Sequence, residues 1–260
     1  MEERVVPPGR GWSWLVDGFW LFRKNPAMWI ALTLSLALIW IASLIVPVFG
    51  PLLFNLFSPV FFAGLMIGCR ALDRGEALEI AHLFAGFRQQ AAPLVTIGGV
   101  YLAGTIIVVG IVLISAGGSN LSAVLAKPGA DLEALRAAVR SVALALLLAS
   151  AVYVPLLMVV WFAPVLVVFD GLAPVEAMKR SFFACLRNTP AFLVYGAAVL
   201  GLWFALSLPA ALGAVGALLA LALLAASIPV LICSIYTSYK DIFTRNLPAP
   251  GPTNSLNGTP

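Results

Sequence analysis

Charged side chains are scarce in this chain of 260 residues, which has 15 Lys and Arg, 11 Asp and Glu, one His and three Cys. Each shortage excludes something. With 10% charged and 62% hydrophobic residues, the chain falls far below the roughly one-quarter charged content of a soluble domain, and it lacks the polar surface such a domain needs. The single histidine, His82, leaves little room for His-based acid–base chemistry. Cys69, Cys185 and Cys233 are scattered without C-x-x-C spacing, so no Cys/His zinc site is expected. There is no G-x-x-x-x-G-K-[ST] phosphate loop, no H-E-x-x-H and no G-x-S-x-G. No catalytic residue, cofactor or metal is therefore expected, and the protein is expected not to be an enzyme.

What the chain has is long apolar runs, and its mean hydropathy is +1.04. A span needs about 20 mostly apolar residues to cross the hydrocarbon core. Six stretches qualify, at about 27–46, 52–69, 93–115, 141–169, 191–208 and 213–237. The fold class expected is all-α: a polytopic membrane protein of six transmembrane helices. The first apolar run follows a Trp-rich segment and is long enough to span, so it reads as a retained first helix, not a signal peptide. A net charge of +4 would suggest nucleic acid in a soluble protein. Here the basic residues flank spans, where they set topology and meet anionic headgroups.

The spans are grouped. Three times an amphipathic stretch ends in arginine and runs into an apolar hairpin, at Phe22-Arg23-Lys24-Asn25-Pro26, Phe87-Arg88-Gln89-Gln90-Ala91 and Leu186-Arg187-Asn188-Thr189-Pro190. The expected organisation is three repeats of an interfacial amphipathic helix plus a helical hairpin. In the first, Trp12, Leu15, Val16, Phe19 and Phe22 recur at helical spacing. The second covers Glu76–Gln90, with Ile80, Leu83, Phe84 and Phe87 as its stripe and Glu79, His82, Gly86 and Gln90 facing away. The third covers Asp170–Asn188, with Val175, Met178, Phe182, Cys185 and Leu186 as its stripe. The candidate functional residues are the cations of these helices, Arg23, Lys24, Arg88, Lys179, Arg180 and Arg187, read as headgroup contacts.

No ionisable residue falls inside a predicted span. Asp170, Arg70 and Lys240 lie at span ends. This argues against proton- or ion-coupled transport. Pro155 and Pro164 are expected to kink the fourth span, and residues 131–140 to extend it beyond the hydrocarbon. Residues 1–8 and the Pro-, Gly- and Ser-rich tail at 246–260 are expected to be disordered around a membrane domain at 9–245.

Three stretches carry a family resemblance: Gly11-Trp12-Ser13-Trp14 through Asn25-Pro26, Asp170-Gly171-Leu172-Ala173-Pro174-Val175-Glu176-Ala177-Met178-Lys179-Arg180-Ser181, and Tyr236-Thr237-Ser238-Tyr239-Lys240-Asp241-Ile242-Phe243. Together they resemble an uncharacterised family of proteobacterial six-span inner-membrane proteins over about residues 10–245. The resemblance implies the fold and the inner-membrane location. The Asp-Gly…Glu-Ala…Arg-Ser segment is more distantly similar to the membrane domain that accompanies some glycerophosphodiester phosphodiesterases. The acidic metal site of their soluble domain has no counterpart in these residues, so no such activity is implied.

The function expected is that of a non-enzymatic inner-membrane component that interacts with membrane lipids or with another envelope protein. The alternative is a transporter or permease subunit for a neutral or lipidic substrate. Twelve basic residues fall on one face, among them Arg4, Arg10, Arg70, Arg74, Lys240 and Arg245, against Lys127, Arg136 and Arg140 on the other. The positive-inside rule then puts both termini in the cytoplasm. Reporter fusions after Asn120 and after Asn257 should report opposite compartments, and matching signals would refute that topology.

Overall fold

A computed structural model of the chain describes residues 3–116 and 132–243. The expected C-terminal tail and most of the connection after the third span lie outside the described residues. The helices are α1 (Arg10–Arg23), α2 (Pro26–Ser43), α3 (Phe49–Asp73), α4 (Ala85–Gln89), α5 (Ala91–Ala116), α6 (Leu132–Val160), α7 (Ala163–Asp170), α8 (Pro174–Arg187), α9 (Thr189–Ser207) and α10 (Ala214–Phe243). Short 3-10 turns occupy Ile80–Phe84 and Leu208–Leu212. There is no strand among the described residues. Among the described residues six helical segments are long and apolar enough to cross a membrane: α2, α3, α5, α6 together with α7, α9 and α10.

The hairpins follow the chain: α2 packs on α3, α5 on α6, and α9 on α10. The centre is α3, which touches α2, α5, α7 and α10. Burial is concentrated at one end of the bundle. In α3 the buried positions run from Pro59 to Leu72 apart from Gly50, and in α10 from Ser227 to Phe243 apart from Gly216 and Ala220. The buried residues of α2 are Trp29 and Leu32, at its start, and those of α9 are Ala191 and Tyr195, also at its start. The opposite ends of α2 and α9 are exposed along most of their length. Leu38, Ile41, Leu200 and Phe204 are among the many large apolar side chains exposed on these spans. In lipid these side chains are already solvated, so nothing forces the hairpins to close.

The ends of the elements follow local chemistry. At the first junction the Asn25 side chain accepts the Met28 N–H at 3.2 Å. Pro26 fills the first turn of α2, where no N–H is needed. The turn between α2 and α3 closes through a Phe49 N–H to Pro47 carbonyl bond of 2.8 Å, with Val48 at φ 67° and ψ −56°. This is a γ-turn, a strained conformation for a β-branched residue.

Several expectations are corrected. Residues 3–8 are not disordered. Val6 is buried, its N–H bonds the Asn188 carboxamide oxygen at 2.8 Å, and the Arg4 N–H bonds the Ile242 carbonyl at 3.0 Å. The second amphipathic helix is reduced to a 3-10 turn and the five residues of α4. Gly86, expected to face away, is buried against the Val60 carbonyl, where no Cβ fits. The fourth span breaks at Trp161-Phe162, between α6 and α7, while Pro155 stays inside α6. Pro164 removes an N–H and frees backbone groups at the preceding residues. Ser181 of α8 satisfies them, its hydroxyl accepting the Phe162 N–H at 2.9 Å and donating to the Met158 carbonyl at 2.6 Å.

The buried face of α1 also differs from the apolar stripe expected. Gly11, Trp14, Leu15, Gly18 and Leu21 are buried, whereas Trp12 and Phe19 are exposed. The two glycines bring α1 to backbone contact with α9 and α10. A Cβ at Gly11 would overlap the Ala191 carbonyl, and one at Gly18 would sit 2.6 Å from the Ser234 backbone nitrogen. Gly18→Leu should therefore cost about 1–3 kcal/mol, read as a lower melting temperature of the purified protein. Gly9→Ala, where a Cβ meets nothing within 4 Å, should leave it unchanged. An unaltered Gly18→Leu melting temperature would contradict the close approach.

Candidate functional site: a polar layer at the closed end of the bundle

The extra turns at the ends of α3 and α10 carry the charges that the hydropathy windows left outside the spans. The expected spans stop at residues 69 and 237, but the helices continue to Asp73 and Phe243. This places Arg70, Asp73, Tyr236, Tyr239, Lys240 and Asp241 on regular helix, beside α1 and the end of α7.

Three carboxylates organise the layer. Asp241 accepts from Arg10 Nε at 2.7 Å and from the indole N–H of Trp14 at 2.9 Å. Asp73 accepts from Lys240 Nζ at 2.6 Å and from the Tyr236 hydroxyl at 3.1 Å. Asp170, the last residue of α7, accepts the Tyr239 hydroxyl at 2.9 Å. Between them the Arg70 guanidinium stands 3.9 Å over the Phe169 ring, a cation–π contact. The Asp241 hydrogen bond raises the Arg10 pKa further, so that guanidinium is charged at every relevant pH. The Arg10–Asp241 and Lys240–Asp73 pairs are partly exposed on the cationic side, so each is worth only about 1 kcal/mol or less. Trp14 is different, because it is fully buried. Leaving its N–H unpaired would cost about 1–3 kcal/mol.

A second anchor is Asn188, also buried. Its carboxamide nitrogen donates to the carbonyls of Arg4 at 3.0 Å and Ala184 at 2.9 Å, while its oxygen takes the Val6 N–H. The Tyr195 hydroxyl and Ser234 Oγ, 2.6 Å apart, complete the seam between α9 and α10.

The six cations singled out from sequence do not converge. Arg23 lies 4.7 Å over the Trp20 ring. Lys24 reaches the Leu72 carbonyl at 3.3 Å and lines a cleft with Arg10, Asp17, Asp73 and Lys240. Arg88 borders a small hollow beside Glu79 and His82. Lys179 is exposed on α8. Arg180 pairs with Glu176 at 2.8 Å, which draws the Glu176 carboxyl below its ordinary value. Arg187 meets Glu3 at 3.2 Å. His82 Nδ1 accepts the Glu79 N–H at 3.0 Å, a local helix-start bond. The three cysteines are free and buried, and burial pushes the Cys185 thiol up to about 12. No group of three or more His, Cys, Asp or Glu suited to a metal ion occurs among the described residues.

Sequence reasoning missed Arg10, Asp73, Tyr236 and Asp241 as partners. The signal that bore on them was the set of stretches behind the family resemblance. The Gly11–Pro26, Asp170–Ser181 and Tyr236–Phe243 stretches supply most of this layer.

Six apolar helices among the described residues, a bundle whose large buried side chains gather at one end and a polar layer at the ends of spans define a multi-pass α-helical membrane protein. The chain is 32% identical over 258 residues to a Burkholderia thailandensis protein described as a probable inner membrane protein, the alignment covering 94% of each chain. It belongs to that inner-membrane family. No family model matches the chain, and no solved structure matches it.

Proposed function

We propose that the protein is a non-enzymatic component of the inner membrane, with both termini cytoplasmic, that gathers phospholipid headgroups on its cytoplasmic-side polar layer. The observation that carries this reading is how the charges are used. Asp73, Asp170 and Asp241 are all engaged by the protein's own donors. Arg23, Arg88 and Lys179 have no carboxylate partner among the described residues. They extend from short or amphipathic helices whose large apolar side chains, Phe19, Trp20, Ile80, Phe84, Val175 and Phe183, are exposed. Exposed aromatics with unpaired cations beside them suit the headgroup layer.

A second reading, a permease subunit for a lipidic substrate, is favoured by one observation. An apolar groove of about 380 Å³, walled by Leu36, Phe62, Leu65, Tyr101, Leu157 and Ile232, lies between the spans. Trp161 also lines it, and its indole N–H has no hydrogen-bond partner among the described residues.

The leading reading is tested by counting lipids retained on the purified protein. Wild type should hold more phospholipid than an unrelated six-span control. Each of Arg23→Gln, Arg88→Gln and Lys179→Gln should weaken retention up to about fivefold, the equivalent of ~1 kcal/mol per cation at a lipid surface. Retention equal to the control would refute it.

A further inference from the structure

The cleft bounded by α1 and the last turns of α3 and α10 has a volume of about 410 Å³. Four of the charges on its walls cancel in pairs, Arg10 with Asp241 and Lys240 with Asp73. Two of opposite sign remain, Asp17 on α1 and Lys24 at its C-cap. Asp17 is exposed and has neither a hydrogen bond nor an ion pair among the described residues. Arg10 feels its charge, but the Arg10 Nε is already on Asp241. The Lys24 ammonium makes a single long bond of 3.3 Å to a backbone carbonyl. Lys24 follows Asp17 by seven positions, two helical turns, and as the C-cap it keeps helical dihedrals, so both project from one face. Trp20 lies between them on the same cleft wall.

This arrangement selects by charge. A simple anion is repelled by Asp17 and a simple cation by Lys24, whereas a ligand carrying both charges satisfies both. The level of the cleft fixes where such a ligand comes from. Its floor is the last turn of two spans, and the neighbouring α1 side chains Trp12, Phe19 and Trp20 are exposed aromatics of the kind that sit at headgroup depth.

We propose that this cleft binds the headgroup of a zwitterionic phospholipid bearing a primary ammonium, with the ammonium at Asp17 and the phosphodiester at Lys24. The long Lys24 stem spans the gap while keeping its charge at the surface. A quaternary ammonium presents no N–H to the Asp17 carboxylate and binds less well. This assignment rests on the reading that the polar layer faces lipid headgroups.

Native mass spectrometry of the delipidated full-length protein tests it, with short-chain phosphatidylethanolamine, phosphatidylglycerol and phosphatidylcholine titrated separately. Wild type should bind the ethanolamine lipid in preference to the other two by about fivefold, the scale of one exposed charge pair. Asp17→Asn should erase that preference by weakening the ethanolamine lipid to the level of the other two, with the melting temperature unchanged. Lys24→Gln should weaken ethanolamine and glycerol lipids alike. Equal binding of the three lipids by wild type, or a preference that survives Asp17→Asn, overturns the proposal. So does glycerophosphoethanolamine filling the site as well as the lipid does, because the occupant would then be a soluble ester. Retention of lipid without selectivity sinks this assignment alone, whereas retention no better than a six-span control sinks the broader reading with it.

Discussion

The carboxylate of Asp241 ties the end of the described chain to its beginning. It receives Arg10 from the first turn of α1 and the buried indole of Trp14 one turn on. Arg10 could find water or lipid phosphate instead, but Trp14, sealed against Phe192 and Tyr195, could not. With Trp14 fixed, Gly11 and Gly18 meet the backbones of α9 and α10, and α1 lies across both. Residues 3–6 then run over Asn188 and reach the Ile242 carbonyl. Close backbone approach through glycine and hydrogen bonds that seal a seam are the interactions that hold helices together where lipid removes any hydrophobic preference.

The same physics explains why the core sits at one end. The start of α2, the end of α3, the start of α5, the end of α10 and the start of α9 all pack at the level of α1, α4 and α8. This closed end carries the polar layer and the elements that run along the bundle surface. Away from it, contact within the hairpins runs through small residues such as Gly50, Ala145 and Gly216, and many Leu, Ile and Phe side chains face outward. A bundle built this way ties its charged face together by hydrogen bonds and leaves its far ends to the bilayer.

The spans were legible in the sequence because hydropathy reports directly on the hydrocarbon. The junction at Asn25-Pro26 was legible from cap chemistry, whereas the fourth span, with kinks expected at Pro155 and Pro164 alike, is interrupted before Pro164 and continuous through Pro155. Packing faces were legible only in part: Leu15, Leu83 and Cys185 of the expected stripes are buried. On α1 the large apolar stripe marked the lipid side, and of the residues named in it only Leu15 is buried. On α8 the buried seam is Ala177, Ser181, Ala184 and Cys185, while Val175 and Leu186 are exposed. On these helices small residues bring backbones together on the protein-facing side, beside the large residues Trp14, Leu15 and Leu21 that are buried with them. Span ends were misjudged for a related reason, since hydropathy falls where charge begins while the helix continues. The extra turns of α3 and α10 carry Asp73, Lys240 and Asp241, and so the layer's pairings stayed hidden. Lys24 is the one residue of the sequence-derived set that lines the central cleft.

The central claim is that α1 is docked on protein and does not lie free on the bilayer. Hydrogen exchange of the intact protein in lipid nanodiscs tests it most directly. If Asp241 and the glycine contacts hold α1, its amides should exchange as slowly as those at the end of α10, and Asp241→Ala should release α1 and residues 3–8 together while the spans stay protected. Fast exchange of α1 in the wild type, or an α1 indifferent to Asp241→Ala, would contradict the account.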